Sequence, residues 1–595
     1  MELKNRKDMD PRFVWDFTHM FRTREEWEKA YAEAEGLIKS AASFEGTLGK
    51  SAASLQAALD HYHEVGEKLE LVYLYAMLHK SGDNSDPDYQ KMEARAVSLL
   101  VAANAASSYL VPELLAIPEE TLAQYMKAPG LATYRHMVED ACRARAHTLD
   151  AKRELMLARL GDAARTPDNA FTMLESVDMT FPDVVDEKGE KAALTHATFG
   201  VFRESADRRV RKEAFEKYFG EFKRFINTLA ALYSGSVKFD CYNAETRSYP
   251  SACEAALFQS NVPVAVLDSL TEAIHSRLGT MKKYLSIRKK ALNLDELHMY
   301  DLYCPLLPEV DFHMEYEESK ALVKRALAPL GEGYAKLLDK AYENHWMDAY
   351  ENKGKTTGAF SCGVYGVHPY VLLNYAGKLD DAFTMAHELG HAMHSYLSNE
   401  AQDYANHDYH ILVAEVASTV NEVLLCRYLL ANEKDPARRA YVLNHFLEGF
   451  RTTVFRQTLF AEFERKAHEM NEAGEPLTAK SLNALYRSLN ELYYEGAVVD
   501  ELQQIEWARI PHFYRAFYVY QYATGFCSAV AIADNILKTG DASNYLKFLS
   551  TGGSDYPLEE LKIAGVDLTR PEAVLSSLDV FASALDDFEA QLKEM

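Results

Sequence analysis

The pattern of apolar and polar positions along this chain is helical from the outset. Apolar residues recur at three- and four-residue spacing, with charge on the opposite face, over residues 22–40, 51–81 and 87–110, which predicts amphipathic helices. Pro112, Pro118 and the pair Pro129-Gly130 punctuate the helices that follow. The most apolar stretch, residues 96–117, is interrupted by Asn104, Ser107, Ser108, Pro112 and Glu113, so a buried helix is expected there and not a membrane span. Near residue 180 the pattern changes. Residues 181–194 predict a small β-hairpin turning at Lys188-Gly189, and a division is expected there between an N-terminal helical lobe, 1–179, and a second domain, 180–595. Helical patterns resume over 207–239 and 263–292, and an extended aromatic segment, 299–307, follows them.

The next stretch is different again. Residues 358–368 are glycine-rich, a loop where backbone must bend or be approached closely. Residues 369–375 predict an edge strand with Pro369 at its first position. Gly377 ends it, and Asp380 or Asp381 is a candidate N-cap for the helix after it. Residues 411–430 form another strong helical pattern, the tail from 511 is tyrosine-rich and then expected to be helical to about 537, and a helix over 571–594 closes the chain. Strand content is low throughout, so the fold class is mainly α.

A chain of 595 residues can bury a large core and carry more than one domain. Its formal net charge of −25 argues against nucleic acid as a partner, because phosphate binding needs clustered Lys and Arg. The seven cysteines are scattered and never form a Cys-x-x-Cys pair, as expected of reduced thiols in a cytoplasm. The polar N-terminus lacks the apolar core of a signal peptide.

The chemistry concentrates in residues 383–394, Phe-Thr-Met-Ala-His-Glu-Leu-Gly-His-Ala-Met-His. On a helix His387 and His391 lie one turn apart on one face, close enough to bind one metal ion, and Glu388 beside them can act as general base towards a water at that ion. Zinc in a hydrolase takes three protein ligands. A metzincin would need Gly at 394 and His at 397, where this chain has His394 and Leu397. A gluzincin uses a Glu on a following helix. Glu415 lies 24 residues after His391 in a very apolar run, where an unpaired carboxylate is costly, and Glu422 is the alternative ligand, better suited to orienting an imidazole. His394 shares the helix face and is expected to be satisfied by a neighbour. Gly390 lets another element pack close to the metal turn. Tyr514, Tyr518 and Tyr522, four residues apart, would form one stripe on a helix and could supply donors to a developing oxyanion. Stripes of this kind are more often core.

Several of these runs together resemble the oligoendopeptidase F branch of the thimet oligopeptidase-like zinc peptidases. The similarity rests on 358–361, Tyr365-Gly366, 369–375, 383–395, 414–419, 517–525, Gly552-Gly553 and 564–567, and it covers most of residues 180–595. The resemblance implies zinc held by His387, His391 and Glu415, with Glu388 as general base. It implies a two-lobed helical body with a small sheet beside the metal helix and a deep channel that admits short unstructured peptides. It implies substrate binding by His512 and a role for Tyr518 and Tyr522. At Gly525 the chain departs from the thimet branch, which has a further tyrosine there. The expectation is a cytoplasmic zinc endopeptidase of oligopeptides, with the strand 369–375 pairing with the peptide backbone. Two alternatives stand beside it: a carboxypeptidase or dipeptidase on the same frame, for which Arg515 is the one candidate to read a free terminus, and a non-catalytic helical peptide-binding protein.

Overall fold

The structure, a computed structural model, describes residues 3–307 and 312–595 and is mainly α-helical. Side-chain caps set many helix starts. Thr23 accepts from the Glu26 N–H before the helix Arg24–Ser40, Ser51 from Ser54 before Ala52–Gly82, and Asp86 from Asp88 and Tyr89 before Pro87–Ala106. The hairpin is present: β1 (Val184–Val185) pairs antiparallel with β2 (Lys191–Ala192), and Gly189 takes the positive φ of 81° that the turn requires.

The chain forms two compact units, each built from three segments. One comprises Met1–Ala146, Phe312–Tyr428 and Ile532–Val566, and the other His147–Asp311, Leu429–Ala531 and Asp567–Met595. Residue 180 lies inside the second unit's first segment.

In the first unit, a three-stranded sheet is ordered β3-β5-β4: β3 (Met347–Asp348) runs parallel to β5 (Tyr370–Leu372), and β4 (Phe360–Cys362) antiparallel to it. This corrects the sequence expectation. The strand within 369–375 is central, paired on both sides and fully buried, and the edges are β3 and β4, the latter inside the run expected to be a glycine-rich loop. Pro369 fits because it stands just outside the paired residues and owes no N–H to the ladder. The sheet rests on the N-terminal segment. Trp15 donates its indole N–H to the carbonyls of Trp346 and Val371, and its ring packs with Leu74, Leu78, Tyr370 and Leu372. Lys355, with no exposed side-chain surface, pairs with Asp348 at 2.8 Å and donates to the Tyr350 and Leu373 carbonyls. Arg6 also pairs with Asp348.

Residues 96–117 are a second correction. They belong to two helices, Pro87–Ala106 and Leu110–Ala116, and only one face is buried. Met92, Ala96 and Leu99 point inward, whereas Val97, Val101 and Val111 are exposed. Leu, Val and Ile supply most of the hydropathy here, and six alanines add to it without needing much area buried. The segment 299–307 is compact and not extended, opening with the short helix Met299–Asp301.

Candidate metal centre

Two helices build the centre: a histidine helix, Leu379–Ala401, and a glutamate helix, Ile411–Asn432. The histidine helix starts after Lys378. Asp381 closes that end by accepting from the Lys378 and Ala376 N–H groups, a role inside the first turn and not the N-cap position expected for it. Gly390 lets the helices meet backbone to backbone. A Cβ there would stand 2.6 Å from both the Ala417 oxygen and the Ser418 Cα. Asn421, fully buried, crosses the seam, donating to the Ala386 carbonyl and accepting from the Tyr334 hydroxyl. The connection between the helices is held from behind by Gly552 and Gly553. Gly553 donates to the Asn406 carbonyl, and a Cβ on Gly552 would overlap that same oxygen. Sequence spacing gave no signal of this support.

The contact brings three side chains together. His387 Nε2 and His391 Nε2 are 3.2 Å apart, and Glu415 Oε2 is 3.4 Å from the first and 3.6 Å from the second. Ligands at about 2.0–2.1 Å on a tetrahedral zinc are separated by about 3.3–3.4 Å, so this triangle has the size of one face of such a site. Among the described residues these three form the one group of potential ligands of this kind. Glu422 Oε1 accepts from His387 Nδ1 at 2.5 Å, which directs Nε2 into the triangle. Ser418 donates to Glu415 Oε2 at 3.0 Å and steadies that carboxylate. Donor type, spacing and tautomer all fit a metal ion.

Electrostatics follow from burial. Glu388 is 7% exposed, and burial, reinforced by Glu415 and Glu422 against the pull of His387, pushes its carboxyl up to about 7. Burial opposes charge on His387, yet the hydrogen bond and charge of Glu422 outweigh it and push the imidazole up to about 9. His394 is outside the triangle: its ring stacks on Tyr409 at 3.7 Å, and burial keeps it neutral, down to about 3.

The C-terminal candidates form their own cluster in the second unit. His512 Nε2 is 3.3 Å from the Tyr522 hydroxyl, and the Tyr518 and Tyr522 rings are 5.5 Å apart. No helical stripe exists here. Phe517 has a positive φ of 55° and the helix Tyr520–Thr539 begins after it, so Tyr514 turns away to stack on Phe171. Arg515 lies over the Tyr518 ring at 4.4 Å.

Comparison with known proteins gives concordant matches. Residues 201–580 match the profile of peptidase family M3, and residues 113–181 that of Oligopeptidase F. Oligopeptidase PepF of Bacillus subtilis (strain 168) is 42% identical over 598 residues, covering 100% of this chain and 89% of its own length. An oligoendopeptidase F homolog of Lactococcus lactis subsp. lactis (strain IL1403) is 38% identical, with 98% of each chain covered. The crystal structure of oligoendopeptidase-F from Enterococcus faecium matches with a TM-score of 0.72 at 35% identity, covering 96% of this chain and 100% of that one.

Proposed function

The chain belongs to peptidase family M3 and is a metalloendopeptidase acting on peptides; from that premise we propose that its metal is zinc, held by His387, His391 and Glu415, with Glu388 as general base. The observation that carries this reading is the triangle of 3.2, 3.4 and 3.6 Å with the His387 tautomer fixed by Glu422. Zinc there would supply Lewis-acid polarisation of the scissile carbonyl and lower the pKa of an attacking water.

The chain's own residues do the rest. Glu388, buried beside the ligands, is placed to take the water's proton and to return it to the leaving amine. Glu422 and Ser418 keep the ligands oriented. His512, Tyr518 and Tyr522 are assigned to substrate and to the developing oxyanion, supported by their mutual contacts. Backbone pairing of an extended peptide falls to the edge strand β4, in place of the central β5. The substrates are short unstructured oligopeptides, and the location is the cytoplasm, a reading favoured by seven free cysteines. The division near residue 180 is retained as one between family segments, since the profile matches end at 181 and begin at 201.

The test is cleavage of an internally quenched peptide, blocked at both ends, by wild type and Glu388→Gln with zinc measured in each. We expect one zinc per chain in both and a loss of at least roughly 10³-fold in kcat for the variant. Cleavage by the variant at the wild-type rate would remove Glu388 from the chemistry.

A further inference from the structure

The second unit concentrates positive charge around Tyr303, in the aromatic segment 299–307. The Arg203 guanidinium carbon is 3.8 Å from the Tyr303 ring centroid and that of Arg451 is 4.4 Å. Arg451 is fully buried and bonded to Glu448, and Arg456 makes a two-point contact with Glu506 at 2.7 and 3.2 Å. Those two arginines are satisfied. The other two are not. Arg509 approaches Glu506 to 3.8 Å and lies against Tyr218, but its Nε is buried without a partner. Arg203 makes no hydrogen bond or ion pair among the described residues, and its Nε is likewise buried and unpartnered.

The charge count is four guanidiniums against Glu448 and Glu506, and Glu448 also serves Arg288. Arginine does not shed its proton, so the excess stays as repulsion in a partly dry site. Two consequences are visible. Burial raises the Tyr303 hydroxyl, but Arg456, Arg451 and Arg203 outweigh it and hold the phenol down at about 7. Burial, Arg509 and Arg456 together disfavour the charge on Arg203. The side chains of Arg456 and Arg509 keep 13% and 23% of their surface exposed.

We propose that Arg203, which lies over Tyr303, and Arg509 form an oxyanion-binding site whose ligand is the free C-terminal carboxylate of a peptide. Guanidinium forks suit a carboxylate or a phosphate equally, so the anion chemistry follows from the cluster alone. Only the peptide as its source rests on the peptidase reading.

Thermal unfolding tests both parts without relying on cleavage. At constant ionic strength in chloride, inorganic phosphate should raise the Tm of wild type by about 2 °C or more, and the increment should vanish in Arg203→Met. In phosphate-free buffer Arg203→Met should unfold no earlier than wild type, because it removes an uncompensated charge and keeps the apolar stem's volume. An unfolding temperature lowered in phosphate-free buffer, with the phosphate increment retained, would overturn the site and make Arg203 structural. For the source, an acetylated peptide and its C-terminal amide are compared in the Glu388→Gln background. A larger Tm increment for the acid, lost on adding Arg203→Met, supports the peptide carboxylate. Equal increments for acid and amide, with the phosphate effect intact, would overturn the peptide as ligand and leave a free inorganic anion. A failure of the zinc and cleavage assay would leave the phosphate result untouched.

Discussion

The two groups of residues assigned to the chemistry are held in opposite ways, each within its own unit. In the helix pair, contact is backbone to backbone at Gly390, and three polar groups along it are partnered: Asn421 by Ala386 and Tyr334, Glu415 by Ser418, His387 by Glu422. The segment 511–522 has the reverse character. Phe517 sits at a φ of 55° with its buried ring 4.7 Å from that of His468. Beneath it lies Glu464, 1% exposed, with the Phe517 N–H as its nearest backbone donor and neither oxygen well bonded. A multivalent ion needs its ligands fixed beforehand, which satisfied polar contacts achieve. Side chains assigned to a flexible substrate sit instead on strained backbone over an unsatisfied acid, where local stability is lowest.

Glu464 offers the largest break of that comparison. Burial pushes its carboxyl up to about 8, against the pull of His468. In the folded protein it is therefore protonated at pH 5–7, whereas in the unfolded chain it ionises near pH 4.5. The unfolded state then binds fewer protons, so stability falls as pH rises from about 4.5 and levels off above about 8, by up to roughly 5 kcal/mol in total. Glu464→Gln, which cannot ionise, should lack this contribution over that range. The measurement is urea unfolding at pH 5, 6.5 and 8: the variant should gain on wild type steadily with pH. A constant difference between the two proteins would mean that Glu464 is not held protonated, and that the contrast between the regions is smaller than drawn.

What the sequence revealed and what it hid divide along the same physical line. The hairpin at Lys188-Gly189 and the pair His387 and His391 are local patterns, set by turn chemistry and helix pitch, and both were legible. Glu415 stood out as an acid within an apolar run. Partners distant in sequence were not legible. Strand β5 is central only because Met347–Asp348 and Phe360–Cys362 flank it, and three-residue strands leave too little alternation to detect. Regular spacing misled at Tyr514, Tyr518 and Tyr522, since one left-handed residue, Phe517, breaks the helix that the spacing assumed. The arginines around Tyr303 come from positions 203 to 509, and no window along the chain contains them.

Two substitutions in the helix pair sharpen the comparison from its rigid side. Gly390→Ala places a methyl group 2.6 Å from the Ala417 oxygen and the Ser418 Cα, backbone atoms that cannot turn aside. The helices must separate, the ligand triangle opens, and displacement by about 1 Å is enough to cost roughly 10²-fold in kcat. Glu422→Gln should do less. It keeps the helix contact and a hydrogen-bond acceptor for His387 Nδ1, but removes the charge that strengthens the imidazole as a ligand, so zinc affinity should fall roughly 10- to 100-fold. Titrating zinc into each metal-stripped protein while following cleavage distinguishes the two. The Glu422→Gln curve should shift to higher zinc and then approach the wild-type plateau, because ligand geometry survives. The Gly390→Ala plateau should stay low at any zinc concentration, because added metal cannot bring the helices together. If saturating zinc restored Gly390→Ala as well, the seam would tolerate the methyl group, and preorganisation by backbone contact would not be what sets this site apart.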